Sequence, residues 1–187
     1  VKRFWEGLLY GGGCLFELAR GIIFLAVALV LCHFFIATIF IVDGESMEPN
    51  FQNGEVLLVE KISYLVSDPQ RGDALVVKFP GDPEKKKYFK RIIGLPGEKV
   101  QIKDGKVFIN DKRLYESYIP ETIKTAPDGE WLLLGEEYFL MGDNRNNSYD
   151  SRLWGVAPRK YLIGAGWLVL WPPKNMGAIP QYFPTTK

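Results

Sequence analysis

Residues 21–42 contain no formally charged side chain, and no other feature restricts the chain so strongly. As a helix, such a run extends about 33 Å at about 1.5 Å per residue, enough for a hydrocarbon core of about 30 Å. It is longer than the roughly 7–15-residue apolar region of a cleaved leader. Ile41-Val42-Asp43 is also a poor small-residue cleavage site, so a retained membrane anchor is expected. Lys2, Arg3 and Arg20 precede the run, while Asp43, Glu45 and Glu48 follow it. That bias places the N-terminus in the cytoplasm and whatever follows the run outside. His33 interrupts the run without an acidic neighbour, so neutral packing is its expected role.

The expected organisation is a short cytoplasmic segment at 1–20, an anchor at 21–42 and one extracytoplasmic domain at 43–187. Both cysteines, Cys14 and Cys32, fall before Asp43, so the domain has no thiols and no disulfide framework. A formal net charge of +1 gives no footprint for nucleic acid. Within the domain, Glu55 to Val59, Ala74 to Phe79 and Lys99 to Ile102 read as short β-branched strands. Asp104-Gly105 separates the last of these from Lys106-Val107-Phe108-Ile109, which is a hairpin signal, and Asn110-Asp111 follows. Trp131 to Leu134, Tyr138 to Met141 and Ile163 to Trp171 continue the pattern, the last as a buried strand, with prolines and glycines between. The Pro80 to Lys87 stretch, with three consecutive lysines, reads as a solvated hairpin tip. The fold class is therefore mainly β: a single N-terminal transmembrane helix followed by an antiparallel β-sheet catalytic domain.

The chemistry is restricted by what is scarce. His33 is the single histidine and lies in the apolar run, so a serine nucleophile in the domain needs another base. Lysine serves only when neutral, and at an ordinary pKa near 10.4 roughly one amine in a thousand is uncharged at pH 7. Burial among apolar groups lowers that pKa by several units. Lys90 fits the need, with Phe89, Ile92, Ile93 and Leu95 around it in sequence. On a strand, Tyr88, Lys90 and Ile92 share one face while Phe89 and Arg91 take the other. Ser46 lies four residues past the apolar run.

Four blocks occur in order: Asp43-Gly44-Glu45-Ser46-Met47-Glu48-Pro49, Arg71-Gly72-Asp73-Ala74-Leu75-Val76-Val77, Lys90-Arg91-Ile92-Ile93-Gly94-Leu95-Pro96-Gly97-Glu98, and Gly142-Asp143-Asn144-Arg145-Asn146-Asn147-Ser148-Tyr149-Asp150-Ser151-Arg152. The series resembles the bacterial type I signal peptidases, serine–lysine leader peptidases of the export pathway. The resemblance implies that Ser46 is the nucleophile and Lys90 the general base. Ser148 would orient the lysine amine, Asp150 and Arg152 would form an ion pair bracing the site, and Asp143 and Arg145 would support the same loop. The Ser46 N–H would bind the oxyanion. Position 44, where many relatives carry a second hydroxyl donor, is glycine here, so Gly44 leaves that donor to backbone or water. Val42, Met47, Phe51, Tyr88 and Phe89 match the shallow pockets that favour small side chains before the cut.

What the resemblance implies overall is a membrane-bound endopeptidase of the bacterial plasma membrane. It would release exported preproteins after a small-x-small site through an acyl-enzyme, with the lipid bilayer as its other partner and without metal or cofactor. Two other readings stand beside it. A self-cleaving regulator shares the serine–lysine chemistry but carries a DNA-binding segment, for which no candidate exists here. An inactive membrane-tethered β module would bind peptides without needing Ser46, Lys90 and Ser148 together.

Overall fold

A computed structural model describes residues 2–31, 35–79, 81–84 and 86–186, with side chains from Phe16 onward. Cys32, His33 and Lys85 lie outside the described residues, as does the side chain of Cys14. The apolar run divides in two. Its first part closes helix α1 (Lys2–Leu31), and its second part forms strand β1 (Ala37–Ile41). A single helix over 21–42 is therefore corrected, because Ala37 to Ile41 pair antiparallel with β2 (Val56–Glu60). The β-branched and aromatic side chains of Thr38, Ile39, Phe40 and Ile41 suit a pleated surface, and hydropathy alone does not separate a span from such a strand. Side chains 16–31 of α1 are all exposed. They cover about 24 Å, less than a hydrocarbon core of about 30 Å, and among the described residues no helix is long and apolar enough to cross a membrane.

The rest of the fold is two antiparallel sheets. The larger has eight strands, ordered β1-β2-β11-β3-β4-β9-β10 with β12 beside β11. Its further members are β3 (Ala74–Lys78), β4 (Lys87–Gly94), β9 (Glu137–Met141), β10 (Ala157–Pro158), β11 (Leu162–Trp171) and β12 (Gly177–Ala178). The smaller sheet is ordered β13-β7-β6-β5-β8. It comprises β5 (Lys99–Lys103), β6 (Lys106–Ile109), β7 (Lys112–Tyr115), β8 (Gly129–Leu132) and β13 (Thr185–Thr186). Asp104-Gly105 and Asn110-Asp111 both turn with positive φ at each residue, the geometry that two-residue hairpins require.

Three buried clusters hold these layers together. Ile93, Phe139 and Met141 pack with Val100, Ile102, Val107 and Ile109, joining the two sheets. Val42, Met47 and Phe51 pack with Leu57, Val59, Val76 and Phe89 on one face of the larger sheet. Leu75, Val77, Ile92, Tyr138 and Leu140 pack on the other face. The buried strand expected near Trp167 and Trp171 is corrected, since those rings are 55% and 57% exposed. Trp171 lies opposite Val56, which lies opposite Ile41, so the three share one face. Ile41 and Ile39 are exposed there too, as is Met176 beyond β11.

One pairing detail positions the site. β3 pairs with β4 from Lys87 to Arg91, whereas β9 meets β4 at Arg91, Ile92 and Gly94. Residues 87–90 therefore keep one backbone edge with no strand beside it among the described residues.

Candidate active site

The turn joining β1 to β2 carries Ser46. Val42 N–H donates to Glu55 O and Gly54 N–H to Val42 O, each at 2.8 Å, which closes the turn. Met47 and Phe51 are buried beneath it, and the Phe51 ring meets Phe89 edge-on at 4.9 Å. Burying the residue after Ser46 fixes the backbone and leaves the hydroxyl on the accessible side. The Ser46 N–H makes no hydrogen bond among the described residues, and its carbonyl accepts from Asn144 N–H at 3.1 Å.

β4 carries Lys90. Lys90 is 2% exposed, and its Nζ stands 2.6 Å from Ser46 Oγ, donating in the arrangement seen. Burial lowers the Lys90 pKa to about 8; the charges of Asp150 and Asp143 oppose this and that of Arg152 assists it. Arg91, the next residue along the strand, takes the opposite face as alternation requires. It is fully buried, and its Nε and Nη2 donate to the two Asp143 oxygens at 2.8 and 2.6 Å. Asp143 also accepts from Asn50 Nδ2 at 2.8 Å. The two carboxylates nearest the lysine are thus each held by a permanent cation.

The second cation is Arg152. It contacts Asp150 through Nε and Nη2, both at 2.8 Å. Burial alone raises the Asp150 pKa, but the Arg152 contacts, with Gly142 N–H donating at 3.0 Å, hold it below the usual carboxylate range. Asp150 caps the short helix α2 (Ser151–Trp154), accepting from Arg152 N–H, so the two meet at the start of a helix. Ser148 Oγ is buried near Asp150, and no hydrogen bond joins it to Lys90 among the described residues. Arg145 donates to Gly142 O at 3.1 Å and Thr125 Oγ1 at 2.9 Å, and pairs with Glu116.

Gly142 sits where these parts converge. A Cβ there would fall well inside van der Waals contact with both Ser148 Oγ and Ser46 O. Gly142→Ala is therefore expected to push the Ser46 turn away from Lys90. Its catalytic cost is at least about 100-fold, since misplacement by about 1 Å costs that much, with a smaller stability loss of about 1–3 kcal/mol. Steady-state kinetics alongside urea denaturation separate the two, and unchanged kcat/KM would refute the account.

Gly44 has φ +90°, and its N–H donates to Asn53 Oδ1 at 2.9 Å. The glycine is thus required by backbone conformation as well as lacking a hydroxyl. Gly44→Ser is expected to cost about 1–2 kcal/mol of stability through its left-handed backbone and to lower activity. A gain in kcat/KM would show instead that a missing donor limits the enzyme.

The turn and β4 enclose a cavity of about 170 Å³, lined by Ser46, Val42, Phe40, Tyr88, Phe89, Asp43, Lys86 and Lys87. Of the five side chains matched to pockets, Val42, Tyr88 and Phe89 line it, while Met47 and Phe51 support it from the core. Sequence reasoning missed Phe40, because residue 40 was assigned to the anchor. It also missed Asn50 and Glu116, which lie outside the conspicuous motifs, and the burial of Arg91.

The chain is similar to known proteins along most of its length. Residues 15–171 match the family model described as signal peptidase, peptidase S26. A probable signal peptidase I-2 of Synechocystis sp. is 38% identical over 170 residues, covering 87% of this chain and 76% of the relative. A signal peptidase I P of Bacillus subtilis subsp. natto is 37% identical, covering 82% and 87% respectively. A crystal structure of a signal peptidase I from Enterococcus faecalis is 29% identical with TM-score 0.47, covering 53% of this chain and 97% of that one.

Proposed function

This chain belongs to the signal peptidase S26 family, and we propose from that premise how its own residues carry out the reaction. It is a serine endopeptidase that removes signal peptides from exported preproteins. The observation that carries the mechanism is the 2.6 Å approach of the Lys90 amine to Ser46 Oγ, inside a pocket that makes the neutral amine accessible near neutral pH.

Neutral Lys90 accepts the Ser46 hydroxyl proton as Oγ bonds to the carbonyl carbon of the residue before the cut. The Ser46 N–H stabilises the resulting oxyanion. The carbon–nitrogen bond then breaks, and Lys90 gives its proton to the departing amine. Water repeats the sequence on the ester: Lys90 takes its proton, the hydroxide attacks, and Ser46 recovers a proton from Lys90 as the leader acid leaves. Asp150 and Asp143, each neutralised by an arginine, shape the pocket without holding Lys90 charged. Ser148 lies close enough to the convergence at Gly142 to receive the amine when it swings between these steps.

The substrate lies extended along the open edge of residues 87–90, where backbone pairing gives affinity without demanding sequence. Val42, Phe40, Tyr88 and Phe89 then limit the size of side chains before the cut, favouring small ones by shape. Met47 and Phe51 act from beneath, by fixing Val42 and Phe89.

Membrane attachment belongs to the same proposal. We assign attachment to the apolar run that begins at Gly21 within α1, with residues 43–187 as the extracytoplasmic catalytic domain. Ile22, Phe24, Leu25, Val27, Leu29 and Val30 are exposed on α1, which a lipid environment satisfies and water does not. The exposed face bearing Ile39, Ile41, Trp167 and Trp171 supports contact of the domain with lipid, tryptophan being suited to the interface. Basic residues before the run favour a cytoplasmic N-terminus in a bacterial plasma membrane.

The test is cleavage in trans. The full chain in detergent, mixed with a preprotein, is expected to release one mature product, cut after a small-x-small site by mass spectrometry. Ser46→Ala should abolish the cut. Cleavage confined to the chain itself would favour a self-processing regulator and overturn this reading.

A further inference from the structure

The cavity at Ser46 is lined in part by charged side chains that the reaction does not use. Lys86 and Lys87 line it together with the apolar side chains. Lys87 shares a strand face with Phe89, two residues along β4, and stands directly opposite Lys78 on β3. Like charges facing each other across a sheet oppose one another. Burial and then the charge of Lys87 lower the pKa of Lys61, which places a further lysine in the same field.

The nearby acids offset only part of this group, Asp43 from within the cavity lining beside Ser46. Glu84 pairs with Lys86 at 2.6 Å. Asp82 accepts from the backbone N–H groups of Glu84 and Lys86 at 2.9 and 3.0 Å, within the hairpin tip. Lys87 makes no ion pair among the described residues. Lys87, Lys78 and Lys61 outnumber Asp43 and Asp82, so the lysine side of this partly apolar cavity carries positive charge in excess.

We propose that Lys87, assisted by Lys86, is a specificity-determining residue that selects preproteins carrying an acidic side chain, and disfavours basic ones, at the fourth or fifth residue before the cut. The inference rests on the peptidase reading above and deepens it. The position follows from strand geometry. Lys87 precedes Lys90 by three residues, about 10 Å at about 3.3 Å per residue. A peptide whose scissile bond lies at Ser46 and Lys90 therefore presents its fourth residue level with Lys87, and the reach of the lysine side chain adds the fifth. Anionic lipid is the other chemistry able to meet these lysines. The substrate is favoured because Lys87 lines the same cavity as the nucleophile.

The test uses the full chain in vesicles of phosphatidylcholine alone, so that no anionic lipid competes. Preproteins differing at the fifth residue before the cut (Glu, Gln or Lys) are compared by kcat/KM. A partly exposed charge pair is worth up to about fivefold, so attraction and repulsion together give about a tenfold range, in the order Glu, Gln, Lys. The range should narrow in high salt, and Lys87→Glu should reverse the order. An order unchanged in Lys87→Glu would overturn the proposal. So would a flat series in phosphatidylcholine combined with weaker binding of Lys87→Glu to vesicles containing phosphatidylglycerol, which would assign the lysines to lipid. Cleavage of the Gln preprotein by the unaltered chain keeps the peptidase reading whichever way the series falls. Failure of that cut would bring down both.

Discussion

Replacing Lys90 with methionine is expected to lower kcat/KM by about 10⁴-fold, the upper end of what one positioned general base contributes, because the same amine serves both halves of the reaction. The pH profile should report the same group. With the Lys90 pKa at about 8, activity should climb about tenfold per unit below that pH and flatten above it. This limb should vanish in the residual activity of the variant. Lys90→Arg should give no rescue, since guanidinium does not deprotonate in proteins.

The same substitution should stabilise the fold. A lysine with pKa near 10.5 unfolded and about 8 folded binds its proton more weakly when folded. Below pH 8 the amine is charged in both states and the burial penalty is fully present. As pH rises from 8 towards 10.5 that penalty is relieved, a change of about 3 kcal/mol. Lys90→Met should therefore melt higher than the parent at pH 7, with the difference shrinking by pH 10.5. Equal melting temperatures at pH 7 would contradict a desolvated amine.

Asp143→Asn is expected to be the most destabilising change near the site. It strands Arg91, whose guanidinium is fully buried, with Gly72 O at 2.8 Å and the rings of Tyr118 and Tyr182 as its other neighbours. Removing one member of such a pair costs about 3–5 kcal/mol, because the surviving charge has no solvent to turn to. Activity should fall with it, since Asn50 loses an acceptor and the Ser46 turn a tie. Replacing Arg91 and Asp143 together by apolar residues should recover much of the stability and little of the activity. A melting temperature for Asp143→Asn within 2 °C of the parent, by calorimetry, would refute the argument.

The meeting of Ser46 and Lys90 was legible because scarcity and order are sequence properties. With the single histidine in an apolar run, Ser46 and Lys90 were strong candidates, and the motif blocks supported pairing them. The strands from β2 to β9 were readable from β-branched runs and from turn residues such as Asp104-Gly105. The edge strand β1 was not, because Ala37-Thr38-Ile39-Phe40-Ile41 continues the hydropathy of the apolar run and only pairing with Val56 to Glu60 reveals its conformation. The exposure of Trp167 and Trp171 was hidden for a related reason: an apolar strand facing outward has the composition of one facing in. Arg91 looked like an ordinary strand cation. Its burial depends on Asp143, 52 residues away, a distance at which local sequence carries no signal.

Back-to-back placement of Lys90 and Arg91 makes strand length a matter of chemical identity. Arg91 is fastened on both flanks, to Ala74 and to Met141. Inserting or deleting one residue between Lys87 and Lys90 would leave that pair in place and turn the residues before it to the reverse side of the sheet. A one-residue slip of Arg91 itself would set a permanently protonated guanidinium in the lysine's place and cost Asp143 its two-pronged grip. The tip from Gly81 to Glu84 is free of that restriction, so variation in length belongs in the tip and not in the strand beneath it.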